Sequence, residues 1–353
     1  MLRKGIAVSW YPALAATGIG SLPHRDAGKA CELTLAHLDE APVWPQLPHR
    51  DFRENMYAQY SEGMPGVVVD EEKEKVWCDT SRDLLDEVEE VYRAYLEDDL
   101  SVGYIGKNHA EGLHLFLERV EGEGKVYPLL KGQVTGPFSY GLTVLNGDNR
   151  PLLYNDQVAD AMVRVLNLKA RWMEDRLRKT GAAREVLIFF DEPYLVSVGS
   201  ALVGVVEDQV VDMLRSCREK LGCRVGAHCC GNTDWTLLFK AGMEVVNFDA
   251  YRYMESMALY PAEVEDFLRG GGVLAWGLVP NDADVRKVTA DDLARRFEEG
   301  VELLASRGVS RELLWEQALI TPSCGLEGVD EEDAERAYSL ASELSGLLRG
   351  RGS

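Results

Sequence analysis

The sequence predicts an α/β protein: a (β/α)8 TIM barrel carrying an insertion after its second strand. Three observations lead there. Short apolar runs alternate with longer amphipathic stretches through most of the chain. Eight such runs can be drawn, each ending in a turn, and eight parallel strands separated by helices close a barrel. A doubly wound sheet would usually carry a dinucleotide-binding glycine fingerprint after its first strand, and Ile19-Gly20-Ser21-Leu22-Pro23 is not one.

Ala16 to Ser21 reads as the first strand and Asp26 to Leu38 as a helix with Asp26 as N-cap. Ala41 to Leu47 reads as the second strand, though its prolines count against a regular ladder. Residues 52–125 break the rhythm. Gly66 to Asp70 and Lys75 to Cys78 flank a charged turn and predict a β-hairpin, and two helices are expected at Ser81 to Asp98 and Asn108 to Glu118. This stretch has no obvious core of its own, so residues 1–353 are read as one barrel domain with 52–125 inserted in it. The rhythm resumes with strands at Lys125 to Val134, Glu185 to Phe190, Cys223 to Ala227, Glu244 to Phe248, Gly272 to Trp276 and Gln317 to Ile320. Helices are expected at Asn155 to Lys179, Ser200 to Lys220, Asp291 to Arg307 and Glu331 to Leu348, with a helical start at Asp234.

Composition narrows the function classes. A net charge of −21 without a basic patch argues against a nucleic-acid partner. No apolar run approaches the ~20 residues of a membrane span. Met1-Leu2-Arg3-Lys4 leads into a mixed segment and not an apolar signal core. The odd count of seven Cys fits free thiols or metal ligands in a reducing cytoplasm better than a disulfide framework.

The chemically unusual residues fall at the expected strand ends, where a barrel places its site. His228 and Cys230 stand two apart just past the fifth strand, and Cys324 lies in a Pro/Gly turn past the eighth. One imidazole and two thiolates suit Zn2+, and three protein ligands with one open position is the catalytic pattern. Without a metal, the same cysteines would be small buried hydrophobes beside a structural His. Cys229 is expected to pack. Asp249, ending the next strand, is either a fourth ligand or an acceptor that orients His228. Of Asp191 and Glu192, adjacent at a strand end, only one should face the cavity. An acid there could bind a substrate amine, or simply cap a helix. Ile19-Gly20-Ser21 and Thr135-Gly136-Pro137 either bring backbone to the cavity or form tight turns. Asp51, Gln133 and Asn281 complete the set of polar groups at strand ends.

Ile19-Gly20-Ser21, Gly132-Gln133-Val134-Thr135-Gly136-Pro137, Asp191-Glu192-Pro193, His228-x-Cys230 and Cys324-Gly325-Leu326 occur in this order over nearly the whole chain. Together they resemble the catalytic barrel of cobalamin-independent methionine synthase. His228-Cys229-Cys230-Gly231-Asn232 also resembles coenzyme M methyltransferases of the wider uroporphyrinogen decarboxylase-like superfamily. The resemblance implies a zinc-dependent thiol methyltransferase. His228, Cys230 and Cys324 match the family's zinc ligands, and Asp249 stands near the position of its fourth ligand, a Glu. Ser21 and Asp191 match positions that hold the amino acid part of homocysteine, the expected small-molecule thiol. Asp51 stands near the position of a Glu that binds its amine. The family's second barrel has no room in 353 residues, and Phe138-Ser139-Tyr140 replaces its folate-stacking Asn-Trp. The methyl donor is therefore expected to be a corrinoid, on a partner protein, or a folate. Rival expectations are a coenzyme M-type methyltransferase, a uroporphyrinogen decarboxylase-like enzyme, and a non-enzymatic zinc- or corrinoid-binding accessory protein.

Overall fold

The computed structural model describes residues 12–200 and 203–352. The reading of Met1 to Lys4, and residues 201 and 202 of the expected helix at 200–220, lie outside them. Among the described residues nine strands occur, β1 (Val67–Asp70), β2 (Lys75–Cys78), β3 (Tyr127–Thr135), β4 (Leu145–Asn146), β5 (Ala183–Asp191), β6 (Arg224–Cys229), β7 (Val245–Phe248), β8 (Val273–Val279) and β9 (Ala318–Pro322). Six form one curled parallel sheet in the order β3-β5-β6-β7-β8-β9. Each is joined to the next through helical crossovers, as parallel pairing requires.

The first two expected strands are not regular strands. Ala16 bridges Ile320 of β9, Val43 bridges Lys131 of β3, and Ser21 bridges Gln46 between the two segments. Pro42 and Pro45 cannot donate to a ladder, so pairing there is reduced to single bridges and isolated bonds such as Lys131 N to the Pro42 carbonyl, 3.0 Å.

Strand alternation separates two apolar cores. Ala15, Ala41, Leu129, Leu187, Phe189, Val245, Val273, Ala275 and Leu319 cluster on the concave side of the sheet. Their sequence neighbours, including Leu130, Ile188, Phe190, Ala227, Cys229 and Trp276, join the larger core beneath the helices. A period of two thus points Lys131, Gln133, Asp191, His228 and Asn247 to the concave side.

The helices follow the expected spans with shifted ends. Ala27–His37 is capped by the Asp26 carboxylate, which accepts from Gly28 N at 2.7 Å and Lys29 N at 3.1 Å. The helix expected from residue 200 begins only at Glu207 and ends at Arg218. The hairpin forms as β1 and β2, with Val67 opposite Cys78 and Asp70 opposite Lys75. Beyond it lie helices Leu85–Glu97 and Glu111–Gly122, the latter starting three residues later than expected. β2 also pairs with β4, which lies outside 52–125. Among the described residues no helix is long and apolar enough to cross a membrane.

Candidate functional site

β6 ends in the sequence Ala227-His228-Cys229 and hands the chain to Cys230. Alternation puts Gly226, His228 and Cys230 on the concave side and buries Cys229 on the other, where it joins the core and burial pushes its thiol up to about 12. β9 ends at Pro322, and the following turn carries Cys324 to the same place. His228, Cys230 and Cys324 form a group whose ligand atoms all lie within 4.8 Å of one another, so these three could hold a metal ion. The His228 Nε2 to Cys324 Sγ distance is 3.5 Å. The hydrogen bond from Cys324, and after it that from His228, holds the Cys230 thiol down to about 4, while the bond to Cys230 together with burial pushes the Cys324 thiol well above its ordinary range. Burial lowers the His228 pKa, but Cys230, Asp191 and Asn247 raise it by more.

The tautomer of His228 is fixed by a residue that sequence reasoning missed. Asn247 Nδ2 donates to the Ala275 carbonyl and to Thr321 Oγ1, each at 2.8 Å. A carbonyl can only accept, so the amide orientation is determined and Asn247 Oδ1 must accept from His228 Nδ1–H. Nε2 faces the thiols and carries the lone pair whenever the ring is neutral. The missed signal was a lone amide inside the apolar strand Glu244-Val245-Val246-Asn247-Phe248: a fully buried Asn needs partners on three or four sides.

Asp249 is not part of the group. Its Oδ1 accepts from Arg252 N at 2.8 Å and its Oδ2 from Arg252 Nη1 at 3.0 Å. It does not orient His228 either; Asn247 does. Arg252, also missed, looks in the sequence like an ordinary loop cation.

The adjacent acids divide as alternation requires. Asp191 faces the concave side, only 8% exposed, and its Oδ1 has no hydrogen-bond partner among the described residues. Burial raises its pKa and the fully buried Lys131 lowers it. Glu192 turns away and caps the helix Pro137–Thr143, accepting from Phe138 N at 2.9 Å, Ser139 N at 2.8 Å and Ser139 Oγ at 2.6 Å. It is thereby engaged by the chain itself and not presented to the concave side. Gly136 permits this, since a Cβ there would meet the Glu192 carboxyl carbon at 2.2 Å.

Gln133 lies under Gly20, donates from Nε2 to the Trp44 carbonyl at 3.1 Å, and leaves Oε1 without a partner among the described residues. The Ile19 carbonyl accepts from Lys131 Nζ at 2.9 Å. Ser21 is tied to the Cys324 turn, its carbonyl accepting from Leu326 N at 2.9 Å. Gly325 makes room for the Ser21 hydroxyl, which a Cβ would meet at 2.1 Å. Asn281 Nδ2 donates to the Gly325 carbonyl at 3.3 Å. Asp51 is paired within its own turn: Arg53 Nη2 bonds its Oδ2 at 2.8 Å, and Arg53 holds it down to about 2.

No protein-family model matches the sequence, and no curated protein matches it. Solved structures do. A B12-independent methionine synthase from Shewanella sp. W3-18-1, in complex with selenomethionine, superposes with a TM-score of 0.60 at 14% identity, over 96% of this chain and 98% of that one. A methyltransferase from Methanosarcina mazei superposes with a TM-score of 0.53 at 14% identity, over 91% and 86%. Over nearly its whole length, then, the chain has the fold of a B12-independent methionine synthase and of a methanogen methyltransferase.

Proposed function

We propose that the chain is a zinc-dependent thiol methyltransferase that methylates homocysteine to methionine, taking the methyl group from a corrinoid or a folate. The observation that carries the reading is the His228, Cys230 and Cys324 group at the carboxyl ends of parallel strands. Tetrahedral geometry with usual Zn–N and Zn–S lengths spaces an imidazole nitrogen and a thiolate sulfur by about 3.6 Å, and the 3.5 Å between His228 Nε2 and Cys324 Sγ agrees with it. The fixed Nδ1–H tautomer supplies the one nitrogen lone pair such a site needs. The fold reading that accompanies this is one barrel domain, closed by residues 14–22 and 41–47 as its first two staves, with 52–125 inserted, working in the cytoplasm.

Bound zinc would supply loss of the thiol proton at neutral pH, where a free thiol with pKa ~8.5 stays mostly protonated. The chain's own residues do the rest. Asp191 would offer a buried, unpartnered oxygen to the substrate ammonium, and Gln133 Oε1, two residues lower in the β3–β5 register, is another unpartnered acceptor on the same side of the sheet. Ser21, on the turn against Gly325, would donate to the substrate carboxylate. Holding the amino acid end at three points aims its sulfur, which forms a bond to the methyl carbon as the donor departs with the electron pair of the old bond.

The test is metal analysis of the purified chain, followed by methyl-transfer assays. Methylcobalamin and methyltetrahydrofolate would each be paired with homocysteine and with coenzyme M. Stoichiometric zinc and S-methylation of homocysteine support the reading. Zinc without any turnover would leave an accessory binding protein, and an absence of zinc would sink it.

A further inference from the structure

Arg252, on the loop after β7, joins three loops at the rim of the metal group. Its Nη1 donates to Asp249 Oδ2 at 3.0 Å, Asn281 Oδ1 at 3.2 Å and Ser323 Oγ at 3.2 Å. Its Nη2 donates to Asp282 Oδ2 at 2.6 Å. Ser323 immediately precedes Cys324, and its hydroxyl also donates to Asn281 Oδ1 at 2.9 Å. Asn281 in turn holds the Gly325 carbonyl. Both neighbours of Cys324 are therefore tied to one guanidinium cluster.

Asp249 is the other end of that cluster. The β6–β7 register ends with Cys229 opposite Phe248; carried one residue past the two strand ends, it would bring Asp249 opposite Cys230. Adjacent strands lie about 4.8 Å apart, and this carboxylate is 2% exposed. Without the Arg252 guanidinium, only the bond from Arg252 N would hold it.

We propose that Arg252 is a positioning residue that fixes the Cys324 turn and holds Asp249 off the metal, leaving the fourth coordination position to the substrate thiol. The inference rests on the metal reading above. Charge fits it: two thiolates neutralise a divalent ion and a substrate thiolate brings the centre to −1, so a further carboxylate on the metal would oppose that thiolate.

Cobalt(II) substitution tests this without turnover, because each sulfur ligand adds thiolate-to-cobalt charge-transfer absorption. The wild-type chain should bind one cobalt and gain such absorption when homocysteine, or 2-mercaptoethanol as a probe lacking amino acid groups, is added. Arg252→Ala should bind cobalt about 10–100-fold more weakly, the usual effect of removing a residue that orients metal ligands. It should also need at least about tenfold more thiol for the same absorption gain. Adding Asp249→Asn to that variant should restore the thiol response but not the metal affinity. If Arg252→Ala matches the wild type in both titrations, or Asp249→Asn restores nothing, the proposal is wrong. If Arg252→Ala fails to fold by circular dichroism, Arg252→Lys decides. It keeps a charge for Asp249 but lacks the fork for Ser323 and Asn281, so metal affinity should fall while the thiol response persists; unchanged affinity would overturn the proposal. A wild-type chain that binds no cobalt would instead refute the metal reading itself.

Discussion

Replacing Asn247 with Leu removes the acceptor of His228 Nδ1–H while keeping a side chain of similar size. The hydrogen bond alone contributes about 0.5–1.5 kcal/mol net, enough to bias the tautomer by at most about tenfold. Its loss lets the proton sit on Nε2, which turns the ligand atom into a donor, and frees the ring to rotate. Removing residues that orient a metal-bound His costs 10–100-fold in affinity, about 1.4–2.7 kcal/mol. The Ala275 carbonyl and Thr321 hydroxyl also lose a partner, so stability should drop by about 1–3 kcal/mol. Zinc affinity would be measured by competition with a chromophoric chelator, with thermal melts on the same samples. Asn247→Asp retains an acceptor for Nδ1–H and should bind zinc within about tenfold of the wild type. If the Leu variant is folded and holds zinc within about twofold of wild type, the tautomer argument fails.

Cys230→Ser should abolish both zinc and methyl transfer; retention of stoichiometric zinc with full transfer would remove Cys230 from the site. Gly325→Ala should press the Ser21 hydroxyl and the Glu327 carboxylate outward, raising the homocysteine KM with a smaller effect on kcat, as steady-state kinetics will show. Burial pushes Glu192 up to about 7 from an ordinary 4.5. The folded state then binds this proton more tightly than the unfolded state, so the contribution is greatest below about pH 4.5 and declines as pH rises to about 7. Glu192→Gln should remove that component from the melting temperature of the metal-free protein, and an unchanged slope would show that the group titrates normally.

The site was legible where chemistry and periodicity coincide. His228 and Cys230 share a face because a strand repeats every two residues, and Cys324 could be placed with them because barrel strands end together. Periodicity also implied that Asp191 and Glu192 would point apart, but not which one faces the concave side; burial of the apolar Val186-Leu187-Ile188-Phe189-Phe190 run on both faces hides that phase. Asn247 and Arg252 were missed because their roles depend on partners from other strands: Ala275 and Thr321 for one, Asn281, Asp282 and Ser323 for the other. The six strands from β3 to β9 that form the curled sheet were legible as buried apolar runs. The two proline-bearing or glycine-bearing segments before them were drawn as strands, yet their composition permits only single bridges. The late start of the helix at Glu207 follows from Val203-Gly204-Val205-Val206, which has apolar residues but a poor helix-forming run.

The single bridges at residues 14–22 have a consequence for assembly. The Cys324 turn leans on the Ser21 carbonyl, and the segment before Ser21 leans on β9 and on the last helix, where Arg349 Nε bonds the Ala13 carbonyl across 336 positions of sequence. A metal ligand thus waits on contacts between an early segment and one made several hundred residues later. The central strands can collapse during synthesis, but His228 and Cys230 remain an incomplete pair of donors until Cys324 arrives. Such long-range closure is slow, and a nascent chain carrying an unliganded thiol beside an imidazole in that interval is vulnerable to premature capture by stray metal or oxidant.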